Sequence, residues 1–110
     1  MIRLGDLELG PLPRIAVAIT EADLPQAAAW APLVDAIEVR VDLCAEPQPS
    51  AAVAVTRAAH AAGKPVLATV RWSAEGGAGA LDDAARLALY AALAPIADGL
   101  DIELASPLCD

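Results

Sequence analysis

From Ala36 to Asp42 the chain reads AIEVRVD, a strict alternation of aliphatic and charged residues. Successive side chains of an extended strand point to opposite faces of a sheet. Ile37, Val39 and Val41 therefore share one face, and Glu38, Arg40 and Asp42 share the other. Three further segments read the same way. Ile15, Val17 and Ile19 oppose Ala16, Ala18 and Thr20; Val66, Ala68 and Val70 oppose Leu67, Thr69 and Arg71; Leu100, Ile102 and Leu104 oppose Asp101 and Glu103. A doubly wound sheet, with helices on both sides, would be apolar on both faces. A (β/α) barrel keeps its helices outside and lets polar side chains converge inside, near the C-terminal strand ends. The alternation favours barrel strands.

Glycine and proline divide the rest into βα units. Met1 to Gly10 suits a small hairpin turning at Gly5-Asp6, a lid or plug and not a core strand. The first core strand spans Ile15 to Thr20, and Asp23 opens a helix with Pro25 in its first turn and Pro32 limiting its run. A second strand spans Ala36 to Asp42. The next helix runs from Ser50, an N-cap after Pro49, to Ala62, with Gly63 just past its end. Val66 to Arg71 is the third strand, Ser73 to Gly79 a glycine-rich loop, and Leu81 to Ala94 a helix opened by Asp82 or Asp83. Gly99 to Leu104 is the fourth strand. About four strands in 110 residues amount to one domain, a half-barrel of α/β class over residues 1-110.

Composition narrows the function. With 57% hydrophobic residues, a core is expected, but only 3% are aromatic and none is Phe, so core volume per residue is small. A formal charge of -8 with scattered arginines disfavours nucleic acid. The sequence shows neither a charged leader nor a long apolar run, so a cytoplasmic protein with no membrane partner is expected. Cys44 and Cys109 lack metal or redox spacing and read as free thiols, and no metal site is expected.

On adjacent strands, Glu38, Arg40, Asp42, Arg71, Asp101 and Glu103 form a mixed-charge cluster. Charges withdrawn from water cost several kcal/mol each unless paired, so the cluster is either a set of interior ion pairs or a binding site. The segments RIAVAIT, AIEVRVDL, GKPVLATVRWSAEGG and DGLDIEL, in this order and spacing, resemble the N-terminal half of type I 3-dehydroquinate dehydratase. The opening IRLGDLELGPLPRI is similar to that family's N-terminal hairpin and first strand.

The resemblance implies a (β/α)8 barrel that dehydrates 3-dehydroquinate to 3-dehydroshikimate in the shikimate pathway, through a Schiff base on lysine and without a cofactor. Glu38 and Arg40 match the Glu and Arg that hold ring hydroxyls, and Arg71 matches a further substrate-binding arginine. Glu75 matches the Glu supporting the catalytic His. Donor and acceptor forks suit a polyhydroxylated ring, and arginines suit its carboxylate. The family carries its catalytic His on the fifth strand and its Schiff-base Lys on the sixth, beyond the four read here. Lys64 precedes the third strand, a strand length from the chemistry, ~17–20 Å. His60 is expected to face solvent from an Ala-rich helix, and Ala18 stands where some members direct a hydroxyl at substrate.

Gly76, Gly77 and Gly79 fit a mobile loop at the barrel mouth better than a phosphate cradle. Trp72 either leans on a ligand or packs outward, while Trp30 and Tyr90 are expected to pack on helix faces. Two readings of function follow. One is the substrate-holding portion of a dehydratase completed by a C-terminal half; the other is a non-catalytic half-barrel that self-associates, as a homodimer, into a binding or structural module.

Overall fold

The β-branched and aliphatic residues of the alternating segments are the ones withdrawn from water. Ile37, Val39, Val66, Ala68 and Val70 are fully buried and Ile19 nearly so. In the computed structural model, which describes residues 2–77 and 81–109, they line one face of a four-stranded parallel sheet. The ends of the expected hairpin and glycine-rich loop, at Met1 and Gly79, lie outside the described residues.

The chain order is β1 (Ile2–Leu4), β2 (Leu7–Leu9), β3 (Ala16–Ile19), α1 (Leu24–Trp30), β4 (Ala36–Arg40), α2 (Pro49–His60), β5 (Val66–Thr69), α3 (Asp83–Leu93) and β6 (Gly99–Asp101). Strands β3, β4, β5 and β6 lie side by side in sequence order, all parallel, and β1 and β2 form a separate antiparallel hairpin. Sequential parallel strands with helices between them on one side are the first four units of a barrel wall. The expected half-barrel and hairpin are both present.

Small residues set the spacing of the outer layer. Helix α2 turns Ala52, Thr56 and Ala59 inward, and α3 turns Leu89, Tyr90 and Leu93 against the same core. Alanine at the α2 contact lets the helix lie close to the sheet, which offsets the shortage of large aromatic side chains. Trp30 packs on the edge of this cluster.

The hairpin closes the N-terminal end of the sheet. Its turn places Gly5 at φ +57, where a Cβ would stand 2.8 Å from Asp98 Oδ1. Leu4 reaches over Gly99, whose missing side chain leaves the space: a Cβ there would come within 2.7 Å of Leu4 Cδ1 and 3.2 Å of Leu67 Cδ1. The hairpin is thus a plug.

Several boundaries differ from expectation. Strand β4 ends at Arg40, and Val41–Leu43 curl into a 3-10 turn, because the Asp42 carboxylate folds back onto the Arg40 guanidinium. Strand β6 ends at Asp101, whose carbonyl is taken by the Tyr90 hydroxyl; Leu104 leaves the outer aliphatic face and is 91% exposed. Helix α2 begins at Pro49 with Gln48 as N-cap, since proline fits the first helical position, so Ser50 lies inside the helix. Asp23 acts backwards, its Oδ2 accepting from the Thr20 N–H at 3.0 Å. Of the two aspartates at the start of α3, Asp82 is the cap, accepting from Ala85 N–H at 2.8 Å, and Asp83 is the first helical residue.

His60 does not face solvent freely. The end of α2 lies over the segment entering β6, so Nε2 sits 3.1 Å from the Ile96 carbonyl and 3.2 Å from Asp98 Oδ2. Among the described residues no helix is long and apolar enough to cross a membrane.

Leu93 and Leu87 test the layer assignment. Leu93→Ala should cost about 2–5 kcal/mol in urea denaturation, because a fully buried side chain leaves a cavity. Leu87→Ala, on the exposed side of the same helix, should shift stability by less than ~0.5 kcal/mol.

Candidate functional site

On the inner face the register sets the polar side chains in rows. Arg40, Thr69 and Asp101 are partners across β4, β5 and β6, and Glu38, Leu67 and Gly99 form the row below. Leu67 and Leu4 supply an apolar floor there, and the charged groups lie above it, toward the C-terminal strand ends. Ala18 is the β3 partner of Glu38 and contributes only a methyl group.

Each charged group of the inner face is held by a specific partner. Thr69 Oγ1 donates to Glu38 Oε2 at 2.7 Å. Arg40 forks onto Asp42, Nε to Oδ1 at 3.0 Å and Nη2 to Oδ2 at 2.8 Å. Asp42 Oδ1 also accepts the Arg71 backbone N–H at 3.1 Å, so one buried carboxylate ties the ends of two strands together. Arg71 divides its guanidinium between Nη1 to Glu103 Oε2 at 3.0 Å and Nη2 to Asp101 Oδ2 at 2.8 Å. Both arginines retain about a fifth of their side-chain surface, so the forks are anchored while part of each remains open to a ligand.

Behind Arg71 the polar chain continues into the core. Glu103 Oε2 accepts the Trp72 N–H at 2.7 Å, and its Oε1 accepts Arg86 Nη2 at 2.7 Å. Arg86 is fully buried on α3. Its Nε donates to the Val70 carbonyl at 3.2 Å, and Nη1 donates to Ser106 Oγ at 3.0 Å. Beside it the Tyr90 hydroxyl accepts from Val70 N–H at 3.1 Å and lies 2.6 Å from the Asp101 carbonyl and 3.1 Å from that of Val70. Its single proton serves the nearer Asp101 oxygen. Tyr90 therefore continues the β5–β6 ladder where the strands themselves stop pairing.

Charge balance follows from these contacts. Burial alone would raise the Glu103 carboxyl, but the Trp72 N–H and the Arg86 and Arg71 guanidiniums outweigh it and hold it below its ordinary 4.5. The Asp42 fork chiefly raises Arg40, with Glu38 adding to it and Arg71, a like charge, opposing it. Burial acts against the charge on Arg71, and the Asp101 and Glu103 carboxylates more than compensate. Away from this network, burial and the neighbouring Glu21 push the Cys44 thiol up to about 12, so it is neutral and a poor nucleophile at pH 7.

The structure thus brings Glu38, Arg40 and Arg71 onto one face at one end of the sheet. Glu75 lies on the exposed 3-10 turn Ser73–Glu75 that follows β5, at that same end but outside the hydrogen-bonded network. Gly77 closes this turn, its N–H donating to the Trp72 carbonyl at 3.0 Å. A Cβ on Gly77 would fall 2.1 Å from the Arg71 carbonyl oxygen, a backbone atom that cannot yield, so only glycine permits the return. Lys64, His60, Asp98 and the Gly5 turn instead line a cleft of about 330 Å³ at the opposite, N-terminal end. Among the described residues, no group of three or more His, Cys, Asp or Glu is placed to hold a metal ion.

Thr69, Arg86 and Tyr90 were not among the expected site residues. Arg86 was nonetheless findable: it stands at the spacing of Leu89, Tyr90 and Leu93 on one helical stripe, where an arginine has to be buried. Thr69 shares the parity of Arg71 and belonged to the same face.

Parallel β/α units with a charged inner face at their C-terminal ends define a β/α-barrel fold, of which the described residues supply four strands. A sequence model of type I 3-dehydroquinase matches residues 15–108, and the chain belongs to that family. The 3-dehydroquinate dehydratase from Enterococcus faecalis superposes with a TM-score of 0.75 at 31% identity, covering 86% of this chain and 44% of that one. The crystal structure of the 3-dehydroquinate dehydratase from Aquifex aeolicus gives 0.72 at 26% identity, covering 84% and 42%. The chain therefore spans less than half the length of either enzyme. No curated protein sequence matches it.

The depressed Glu103 carboxyl sets an acid limb of stability. Its contribution is complete above the ordinary glutamate range and is lost as pH falls through the lower folded-state value. Urea denaturation across pH 2 to 7 (a window of about five units) should show this loss on acidification. Glu103→Gln should lower stability at neutral pH and flatten the acid limb.

Proposed function

We propose that this chain is the substrate-holding half of a type I 3-dehydroquinate dehydratase, a cytoplasmic lyase of the shikimate pathway of aromatic amino-acid biosynthesis. The observation that carries the proposal is the convergence of Glu38, Arg40 and Arg71 on one inner face, each locked by a partner. A polyhydroxylated ring carboxylate needs such a set: Glu38 accepts ring hydroxyls, while the arginines donate to hydroxyl and carboxylate oxygens. Glu75, on the turn beyond β5, supports the catalytic histidine of the completed site.

The lysine and histidine of that site come from a complementary C-terminal half. The chain's one lysine and one histidine, Lys64 and His60, lie at the wrong end of the sheet for Schiff-base chemistry at Arg71. The reaction draws on no cofactor and no metal. Residues 1–110 fold as one unit that presents this pocket to its complement.

Open strand edges favour a second reading, self-association into a non-catalytic homodimer. Within the described sheet β3 and β6 each pair on one side only, and Ile15 at the β3 edge is 61% exposed. Two copies joined by these edges would supply about eight strands, the number that closes a barrel.

Calorimetric titration with 3-dehydroquinate separates the two. The dehydratase reading expects weak binding that falls at least tenfold in Arg71→Ala and in Arg40→Ala, as for loss of charge-assisted hydrogen bonds worth about 1.5–3 kcal/mol. It also expects that borohydride will trap no adduct on the chain itself, and that the C-terminal half added in trans will restore turnover. A concentration-dependent dimer with no binding of dehydroquinate favours the second reading.

A further inference from the structure

We infer that Arg86, remote from the inner face on α3, is a positioning residue that holds the Arg71 guanidinium in its substrate-facing orientation through Glu103. The inference rests on the reading that Arg71 meets the substrate. Glu103 stands between the two arginines and uses opposite oxygens for them, Oε1 for Arg86 Nη2 at 2.7 Å and Oε2 for Arg71 Nη1 at 3.0 Å. A carboxylate gripped on both oxygens cannot rotate, so the direction of the Arg71 fork is set from behind.

Arg86 is itself fixed by three further groups, two beyond the ends of β5 and β6 and one on its own helix. Val70 O and Ser106 Oγ accept from it, and Asp83 Oδ1 lies 3.6 Å away at the start of α3. Val70 precedes Arg71 directly, and Ser106 lies three residues beyond Glu103. The clamp thus references the carboxylate to the backbone that carries the arginine it orients.

Packing alone does not account for this arrangement. A buried ion pair is weak evidence for stability, because an apolar pair of similar volume serves as well or better. What an apolar pair cannot do is keep Glu103 ionised under cover. With the side chain of Glu103 only 2% exposed, the carboxylate needs a permanent cation at its back to remain the acceptor for Arg71 and for Trp72 N–H. Lysine would supply the charge without the planar fork that reaches Val70, Ser106 and Glu103 together.

The test combines guanidinium NMR of Arg71 with binding of 3-dehydroquinate. In the wild-type chain the Arg71 Nη protons should be resolved and slowly exchanging, held by Glu103 and Asp101. Arg86→Lys should leave the backbone amide spectrum folded, average the Arg71 Nη signals, and weaken dehydroquinate binding about tenfold. In the Arg71→Ala background the same substitution should add nothing. Arg86→Gln, which keeps an N–H donor toward Glu103 without the charge or the fork, should release Arg71 in the same way and serves as the second variant if Arg86→Lys fails to fold. Arg71 signals unchanged in the folded variants would overturn the inference, as would an equal loss of binding with and without Arg71. If the wild-type chain binds no dehydroquinate, alone or with a C-terminal half, the substrate reading fails separately, and the positioning role is decided by the Arg71 signals alone.

Discussion

The inner face of this half-barrel depends on one carboxylate. Glu103 sits where β6 has ended and the chain has turned inward, with guanidiniums on both sides and a backbone N–H on the second oxygen. Without it Arg71 would have only the half-exposed Asp101, and Arg86 would be a cation buried beneath the sheet with no full countercharge. Removing one member of such a pair typically costs about 3–5 kcal/mol, a large fraction of what a domain of this size can hold in reserve. Glu103 thereby joins the stability of the wall to the orientation of the Arg71 guanidinium on its inner face.

A second carboxylate does the same work at the neighbouring strand. Asp42 closes on the Arg40 guanidinium and, with the same Oδ1, takes the Arg71 N–H. Two arginines brought together on one face repel, and the two aspartates and the glutamate interleaved with them remove that cost. The alternation of charge along AIEVRVD and DIEL is therefore both the sign of a barrel wall and the means by which its cations are brought side by side.

Parity made most of this visible in the sequence. Because a strand can only alternate, Glu38, Arg40 and Arg71 had to share a face once Ile37, Val39, Val66 and Val70 were assigned to the core, and the four-strand order and the hairpin followed from glycine and proline placement. Parity stops compelling where the strand stops. Asp42, Arg71 and Glu103 lie past the last paired residues of β4, β5 and β6, and they join the cluster that the alternation predicts because tertiary contacts among them and to Arg86 hold them there. The extended reading carried Leu104 onto the outer face, whereas the chain departs at Asp101 and leaves it in solvent. The contact of His60 is hidden for a related reason: an Ala-rich helix gives no signal that its last turn lies against the Ile96 carbonyl.

The Tyr90 hydroxyl has a mechanical consequence. By standing between Val70 and Asp101 it spaces the ends of β5 and β6 from the helix side, without calling on any strand beyond β6. The separation of Arg71 from Asp101 and Glu103 is then set inside these four units. That rim is ordered by contacts within the described strands and α3, so a ligand or a second surface that met it would leave little conformational entropy to be lost on that side.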